Sequence, residues 1–212
     1  MDFSRLIKEY SNAPISRHVL LEVLSEYKRP NDKISELIQN GELVSLRRGL
    51  YVPGPKTGIT IPTSFLIANH LHGPSYVSLE AALSYWGAIP ERTYEISSVT
   101  IKTTKKIKTS IGRFGYQHLP SPYYSFGIKC VELSKNQLVL LASTEKAICD
   151  KIVLTPMINL RSIKQTRAFL LEDLRIDEQL LRTLNLEMMS TWLEDAPKKN
   201  SIKMLISTIK EL

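Results

Sequence analysis

In the first 52 residues, the spacing of apolar residues is first that of helices and then that of strands. Apolar residues recur at helical spacing in three stretches, residues 3–10, 16–27 and 31–39. Two short apolar runs, Leu43–Leu46 and Leu50–Val52, follow at once and are typical of β-strands. This order predicts three helices followed by a two-stranded hairpin, which is the order of a winged helix-turn-helix.

Polar residues and a proline indicate where the second and third helices begin. Ser16 precedes the second apolar stretch and is a plausible N-cap, since its hydroxyl can accept a bond from a free backbone N–H. Pro30 interrupts the helical pattern, because proline disfavours the helical conformation of the residue before it. We therefore expect Asn31 or Asp32 to cap the third helix.

Two glycines complete the pattern and a Pro/Gly-rich stretch ends it. Gly41 follows the third helix, where a left-handed residue is common, and Gly49 lies in the short link between the two strands. The segment Pro53–Gly58 has the composition of a linker. We therefore predict a winged helix-turn-helix domain over residues 1–55 and a second domain over residues 59–212.

The third predicted helix has one apolar and one polar face. Ile34, Leu37 and Ile38 share the apolar face, and the opposite side chains are free to meet base edges in a major groove. The hairpin link adds two guanidinium groups, which suit phosphate or minor-groove contacts. The residues of this domain that we predict to contact DNA are Lys33, Ser35, Gln39, Arg47 and Arg48.

Other features of the same segment favour a different use. Asp32 and Glu36 lie on the polar face of the third helix and repel phosphate. Small modules of three helices and a hairpin also mediate protein contacts, and a pair of arginines is common in a solvated turn. The N-terminal residues alone leave both interpretations open.

The net charge of +7 makes nucleic acid the first partner to consider. The excess is densest in residues 57–135, which contain eight Lys and Arg against four Asp and Glu. Lys105 and Lys106 belong to the basic run within this segment, and we predict that they contact a phosphate backbone beside the winged helix. The alternative is a solvated loop between two strands.

The second region reads as a mixed sheet to about residue 142 and as helices after it. We expect Ser78 to cap a helix over Leu79–Trp86, and a long helix to open at Ser143. The whole chain is therefore predicted to be α+β, with a helical C-terminus. The other elements predicted before residue 142 are a helix over 63–71 and strands over 94–103, 112–118, 125–133 and 138–142.

Two acid–lysine pairs, Glu145-Lys146 and Asp150-Lys151, raise the possibility of a metal-dependent nuclease. Such enzymes place an acid before an Asp/Glu-x-Lys pair on a strand, whereas these pairs lie in a helical pattern and lack the intervening residue. The four histidines and two cysteines form no metal-binding spacing. We therefore predict no catalytic residue, no metal and no cofactor, and a binding protein rather than an enzyme.

The two cysteines, Cys130 and Cys149, are too few and too dispersed for a disulfide framework. No apolar run approaches the roughly 18 residues that a membrane span requires. These features predict a cytoplasmic protein with no membrane partner.

Several runs of the sequence resemble AbiEi-type antitoxins, the antitoxin half of type IV toxin–antitoxin (abortive-infection) pairs. The N-terminal similarity lies in Lys33–Leu43 (KISELIQNGEL) and Arg47–Val52 (RRGLYV). The more specific block is Tyr76–Glu91 (YVSLEAALSYWGAIPE). Phe114–Leu119 (FGYQHL) and Ala142–Lys151 (ASTEKAICDK) follow in the expected order. The similarity spans roughly residues 30–155, and no motif covers the helical tail after about residue 160.

This resemblance implies a repressor of its own two-gene operon that binds inverted repeats in double-stranded DNA. It also implies a functional partner, a nucleotidyltransferase-like toxin, which is counteracted without a stable complex. Antitoxicity is attributed to the C-terminal domain of such proteins. The alternatives are a plain winged-helix regulator with an unrelated effector domain and a DNA-directed nuclease.

Overall fold

A computed structural model describes residues 3–91 and 93–212, and within these ranges the chain forms ten α-helices and two β-sheets. The mixed α+β class predicted from the sequence is confirmed. None of the helices in the two ranges is both long and apolar enough to cross a bilayer. The elements of the N-terminal part are α1 (Phe3–Lys8), β1 (Ile15–Ser16), α2 (Arg17–Val23), α3 (Pro30–Gln39), β2 (Leu43–Arg47) and β3 (Leu50–Pro53).

Local signals place most of these boundaries. Ser16 is the N-cap of α2, and its hydroxyl accepts a hydrogen bond from the N–H of Val19 at 3.3 Å. Gly41 (φ +74°) and Gly49 (φ +81°) both adopt the left-handed backbone expected of them. The expected cap of α3 at Asn31 or Asp32 is wrong. The helix starts at Pro30, because the fixed φ of proline suits the first helical turn and its missing N–H would have no partner there.

The N-terminal sheet has the strand order β1-β3-β2, with both pairs antiparallel. The two-residue strand β1 was not expected, since it is too short to leave a hydrophobic pattern. A small core gathers beneath the sheet around Ile7, Leu20 and Leu37. Ile38 was expected to belong to the core face of α3, but 36% of its surface is exposed.

The second region contains a six-stranded mixed sheet in the order β6-β7-β5-β4-β9-β8. Strands β4 and β9 pair in parallel, as do β5 and β7, and the other three pairs are antiparallel. The edge strands are therefore β6 and β8. The elements up to the end of this sheet are α4 (Ser64–Leu71), β4 (Ser75–Val77), α5 (Leu79–Tyr85), β5 (Glu95–Thr100), β6 (Lys105–Thr109), β7 (Gly112–His118), β8 (Ile128–Ser134) and β9 (Gln137–Ala142).

Helices follow the sheet to the C-terminus, as predicted. Ser143 caps the first of them, and its hydroxyl accepts from the N–H of Lys146 at 3.2 Å. These elements are α6 (Thr144–Leu154), α7 (Ile163–Arg167), a π-helical segment (Ala168–Asp173), α8 (Glu178–Arg182), α9 (Leu186–Thr191) and α10 (Lys199–Lys210), with short 3-10 turns at Pro55–Thr57, Tyr123–Ser125 and Leu193–Asp195.

Strand β3 is buried on both of its faces and joins two cores. Tyr51 packs into the small N-terminal core, whereas Leu50 and Val52 pack into the large core of the second region, together with Leu46 of β2. This division follows from the alternation of side chains along a strand. The N-terminal sheet is thus packed directly against the second region.

The segment predicted as a linker is also held in place. The N–H of Gly54 donates to the carbonyl of Glu42 at 2.8 Å, and that of Lys56 donates to the carbonyl of Gly41 at 3.1 Å. A Cβ at Gly54 would lie 2.3 Å from the Gly41 oxygen, so only glycine permits this approach. These contacts hold residues 54–56 against Gly41 and Glu42, between the end of α3 and the start of β2.

Candidate nucleic-acid interface

The turn between β2 and β3 presents two exposed arginines. Arg47 ends β2 and Arg48 precedes Gly49, whose positive φ closes the turn. A register shift between Ser45 and Arg47 changes the alternation at the end of β2. Both guanidinium groups consequently stand at the exposed tip of the hairpin.

Arg17 is a third arginine at this position, and sequence reasoning missed it. Its N–H donates to the carbonyl of Gly49 at 3.0 Å, and its Nη2 donates to the Asn31 side chain at 2.7 Å. The contact joins the start of α2, the hairpin turn and the start of α3. No local pattern indicates it, since Arg17 is 32 residues from Gly49 in the sequence.

The residues of α3 predicted to contact DNA differ in whether their side chains already have partners within the protein. Ser35 and Gln39 are exposed, and the Ser35 hydroxyl donates to the carbonyl of Asn31 at 3.2 Å. Lys33 is half-buried, with its ammonium 2.6 Å from Glu36 Oε1 and 5.4 Å from the centre of the Tyr27 ring. The hydrogen bond to Glu36 raises the pKa of Lys33. The charge of Lys33 is thus already compensated within the helix.

The two predicted lysines of β6 point to opposite faces of the sheet. Lys105 pairs with Tyr116, and Lys106 pairs with Gly115. The hydroxyl of Tyr116 donates to the carbonyl of Ala68 in α4, so Lys105 shares the face that α4 covers. Lys106 and Lys108 belong to the other face. Of the two predicted lysines, only Lys105 therefore lies on the face that α4 covers.

His72 lies within electrostatic range of Lys105, Lys102 and Arg47. The ring of His72 packs edge-on against Tyr116, with 5.0 Å between the ring centres. Burial lowers the pKa of His72, the contact with the Thr103 carbonyl opposes this, and the positive charges of Lys105, Lys102 and Arg47 lower it further. Four groups from separate parts of the sequence therefore share one electrostatic environment.

We call this region the wing–sheet surface. It is basic and combines the hairpin tip with one face of the β6 edge. None of its lysines and arginines forms an ion pair with a carboxylate of residues 3–91 or 93–212. Its residues are Arg17, Arg47, Arg48, His72, Lys102 and Lys105.

A second group of charged side chains is fully buried between α6, β4 and α5. Lys146 Nζ lies 3.0 Å from Asp150 Oδ1, and neither side chain has exposed surface. Asp150 Oδ2 also accepts hydrogen bonds from the hydroxyls of Tyr76 at 2.9 Å and Ser78 at 2.7 Å. Lys146 Nζ also donates to the carbonyl of Tyr123 at 2.8 Å and lies 3.5 Å from the centre of the Tyr123 ring.

Burial removes Lys146 and Asp150 from water and shifts the pKa of each toward its neutral form. Burial raises the pKa of Asp150, while Lys146 and the two hydroxyls oppose the rise. Burial lowers the pKa of Lys146, and Asp150 opposes the fall. Ser78 occupies the N-cap position of α5, but its hydroxyl donates to Asp150 and makes no cap hydrogen bond. The pair fastens α6 to β4 and to the start of α5.

The residues that a nuclease would require are therefore engaged in internal contacts. Lys151 forms an ion pair with Glu80, and the Glu145 carboxylate accepts the N–H of Asn185 at 3.1 Å. Within the described ranges, no three His, Cys, Asp or Glu side chains are grouped as metal ligands would be. Cys149 is buried, which raises the pKa of its thiol, and Cys130 is exposed.

No protein-family model and no curated protein matches this sequence. Among solved structures, the chain is similar to the crystal structure of the RV2827C protein from Mycobacterium tuberculosis, with a TM-score of 0.55 and 15% sequence identity. The match covers 97% of this chain and 79% of that one. At this identity the likeness concerns the fold alone, and it extends over both the N-terminal part and the second region.

Proposed function

We propose that this chain is a DNA-binding antitoxin whose N-terminal part is a winged helix and which represses its own toxin–antitoxin operon. The observation that carries the DNA-binding part is the wing–sheet surface, where the exposed Arg47 and Arg48 of the hairpin tip and the exposed Lys105 of β6 have no carboxylate partner among the described residues. Uncompensated cations on an exposed turn are the groups that phosphates attract most strongly.

The exposed side of α3 carries the side chains that would recognise the DNA sequence. Ser35 and Gln39 carry hydroxyl and amide groups that can exchange hydrogen bonds with base edges in a major groove. Arg17 and Asn31 connect the start of α3 to the hairpin turn through their hydrogen bond. In this proposal α3 enters the major groove, while Arg47 and Arg48 contact the flanking backbone or minor groove.

The antitoxin part of the proposal rests on the sequence resemblance. Two of the resembling runs, Tyr76–Glu91 and Ala142–Lys151, contain the partners of the buried pair: Tyr76 and Ser78 in one, Lys146 and Asp150 in the other. These residues support a shared architecture for the second region. The partner expected from the resemblance is a nucleotidyltransferase-like toxin that need not form a stable complex.

Binding to DNA from upstream of the gene tests the first part. We expect the full chain to shift this duplex in a gel, and Arg47→Ala with Arg48→Ala to weaken the shift without changing the thermal melting temperature. Unrelated duplex of equal length is the control. If the double variant binds the upstream DNA as well as the parent does, the hairpin tip is not part of the interface.

Co-expression with the product of the adjacent gene tests the second part. We expect the full chain to rescue growth if that gene encodes a nucleotidyltransferase-like toxin. The Arg47→Ala, Arg48→Ala variant should still rescue growth while a reporter under the operon promoter is derepressed. A neighbouring gene of another class, or the absence of rescue, would leave a plain winged-helix regulator as the better description.

A further inference from the structure

A cleft of about 780 Å³ lies between the N-terminal part and the β8–β9 hairpin. One wall is α1 with the residues that follow it, the floor is the chain at residues 57–60, and the other wall is the β8–β9 turn. A cleft of this size lies within the range of small-molecule sites and is large enough for a nucleotide. It is separate from the wing–sheet surface.

The register of the β2–β3 hairpin separates the cleft from the wing–sheet surface. Leu43 pairs with Pro53 at one end of the β2–β3 hairpin, and Arg47 pairs with Leu50 at the other. Residues 57–60 continue from the Pro53 end, so the cleft lies at the end remote from the arginine-bearing tip. A ligand in the cleft would contact the N-terminal part and the second region together.

The cleft is lined by hydrogen-bond donors and by positive charge. Arg5 and Lys8 of α1 face it from one side and Lys135 from the other, and all three are exposed. The described residues that line it include no aspartate or glutamate. Glu132 of the same hairpin is engaged elsewhere, since its carboxylate accepts the N–H of Asn136 at 3.0 Å.

Gln137 adds a fixed donor at the base of the cleft. The residue is 9% exposed, and its side-chain oxygen Oε1 accepts the N–H of Thr63 at 2.8 Å. This bond determines the orientation of the amide, because a backbone N–H requires the oxygen as its partner. Because the oxygen is already used, Nε2 is the group of Gln137 from which a ligand in the cleft would accept.

The floor of the cleft is rigid. The Thr57 hydroxyl donates to the carbonyl of Gly54 at 2.7 Å and accepts the N–H of Ile59 at 3.3 Å. Gly58 lies between them in the left-handed conformation, with φ +66°. The donors around the cleft are therefore arranged on a preformed base, which lowers the entropic cost of holding a ligand.

We propose that this cleft binds a small molecule that carries a di- or triphosphate group. Three cations and an oriented amide match several phosphate oxygens better than one carboxylate, and charge-assisted bonds to phosphate are among the strongest available. The shared chemistry is the phosphate chain, whether it comes from a nucleotide or from an inorganic polyphosphate. This proposal does not depend on DNA binding.

Calorimetric titration of the full chain, without DNA and at about 50 mM salt so that surface charges are weakly screened, tests the proposal. The probes are ATP, inorganic pyrophosphate and adenosine. We expect ATP and pyrophosphate to bind and adenosine not to bind. Tighter binding of ATP than of pyrophosphate assigns the site to nucleotides, and equal binding assigns it to the phosphate chain alone.

Paired variants locate the site. Lys8→Ala with Lys135→Ala should weaken binding of ATP about tenfold or more, through the loss of two charge-assisted contacts. Lys164→Ala with Lys210→Ala removes two exposed lysines outside the cleft lining and should leave binding unchanged. Gln137→Glu, which replaces the amide donor with a negative charge, should also weaken it.

Three results would overturn the proposal. The first is no binding of either ATP or pyrophosphate. The second is equal binding of ATP by the parent and the Lys8→Ala, Lys135→Ala variant. The third is displacement of ATP by a short DNA duplex that binds the Lys8→Ala, Lys135→Ala variant more weakly than the parent. That result would assign the cleft to a nucleic-acid backbone. A failure of operator binding leaves the first two readouts unaffected.

Discussion

The buried Lys146–Asp150 pair and the exposed wing–sheet surface contain similar residues and have opposite physical roles. In the buried pair, the charges of Lys146 and Asp150 are balanced by one another, by two hydroxyls and by a carbonyl. On the wing–sheet surface, Arg47 and Lys105 are exposed and have no carboxylate partner among the described residues. A charge that is paired inside the protein is not available to a ligand, whereas an uncompensated and exposed charge is available.

The largest expected effect is the loss of the buried pair. Asp150→Ala leaves the Lys146 charge buried without its partner, and we expect the free energy of unfolding to fall by about 3–5 kcal/mol. Urea denaturation measures this. A matched control is Glu178→Ala, which breaks a surface pair of the same i,i+4 spacing with Arg182 and should cost about 0.3–0.5 kcal/mol.

A compensated variant distinguishes an unpaired charge from a general packing defect. Lys146→Met with Asp150→Leu removes both charges together and should recover much of the stability lost in Asp150→Ala. If both variants are equally unstable, the hydrogen bonds of Tyr76 and Ser78 matter more than the ion pair. If Asp150→Ala unfolds no more easily than Glu178→Ala, the contrast between the two regions is wrong.

The second effect concerns the two faces of β6. Lys105→Ala should weaken operator binding about fivefold, as expected for one lost charge-assisted contact. Lys106→Ala changes the net charge equally but removes a side chain from the opposite face, so we expect a change of less than about twofold. Fluorescence anisotropy of labelled operator measures both. Equal losses would mean that only the overall charge matters.

The third effect is a dependence of operator binding on pH. His72 has a lowered pKa in the free protein, so it is neutral at about pH 7. Phosphates placed against the wing–sheet surface would favour its protonated form, and binding would take up a proton. Affinity should therefore rise as the pH falls from about 8 to 5.5.

His72→Gln is the control for this effect, because it keeps a polar side chain that does not titrate. The variant should bind operator with less dependence on pH than the parent. If the parent and His72→Gln show the same profile, the titrating group lies elsewhere and His72 does not face the DNA.

The smallest effect is expected at Lys33, which is compensated although it lies on α3. Its ammonium is already bonded to Glu36, so Lys33→Ala should change operator affinity less than about twofold. The same anisotropy measurement applies. A loss as large as that of Lys105→Ala would show that the Lys33–Glu36 bond opens when DNA binds.

The sequence predicts well those residues whose conformation or hydrogen bonds depend only on their near neighbours in the chain. Gly41 and Gly49 have the positive φ that their positions imply, and the hydroxyls of Ser16 and Ser143 cap the helices they precede. These features depend on backbone geometry within a few residues. The α+β class and the helical C-terminus follow in the same way.

Features that depend on distant partners could not be read from the pattern. Ser78 occupies a cap position, but its hydroxyl bonds to Asp150, 72 residues away. Strand β6 was missed because Lys105, Lys106 and Lys108 leave only Ile107 as an apolar signal. Whether Lys105 or Lys106 approaches Arg47 is decided by the pairing of β6 with β7, which no local rule supplies.

The most direct test of the wing–sheet surface is the salt dependence of operator binding. Each phosphate contact contributes a slope of about −0.9 to the plot of log K against log salt concentration. Removing three cations in Arg47→Ala, Arg48→Ala, Lys105→Ala should reduce the magnitude of this slope by about 2.7. A slope unchanged from that of the parent would contradict the assignment of this surface to DNA.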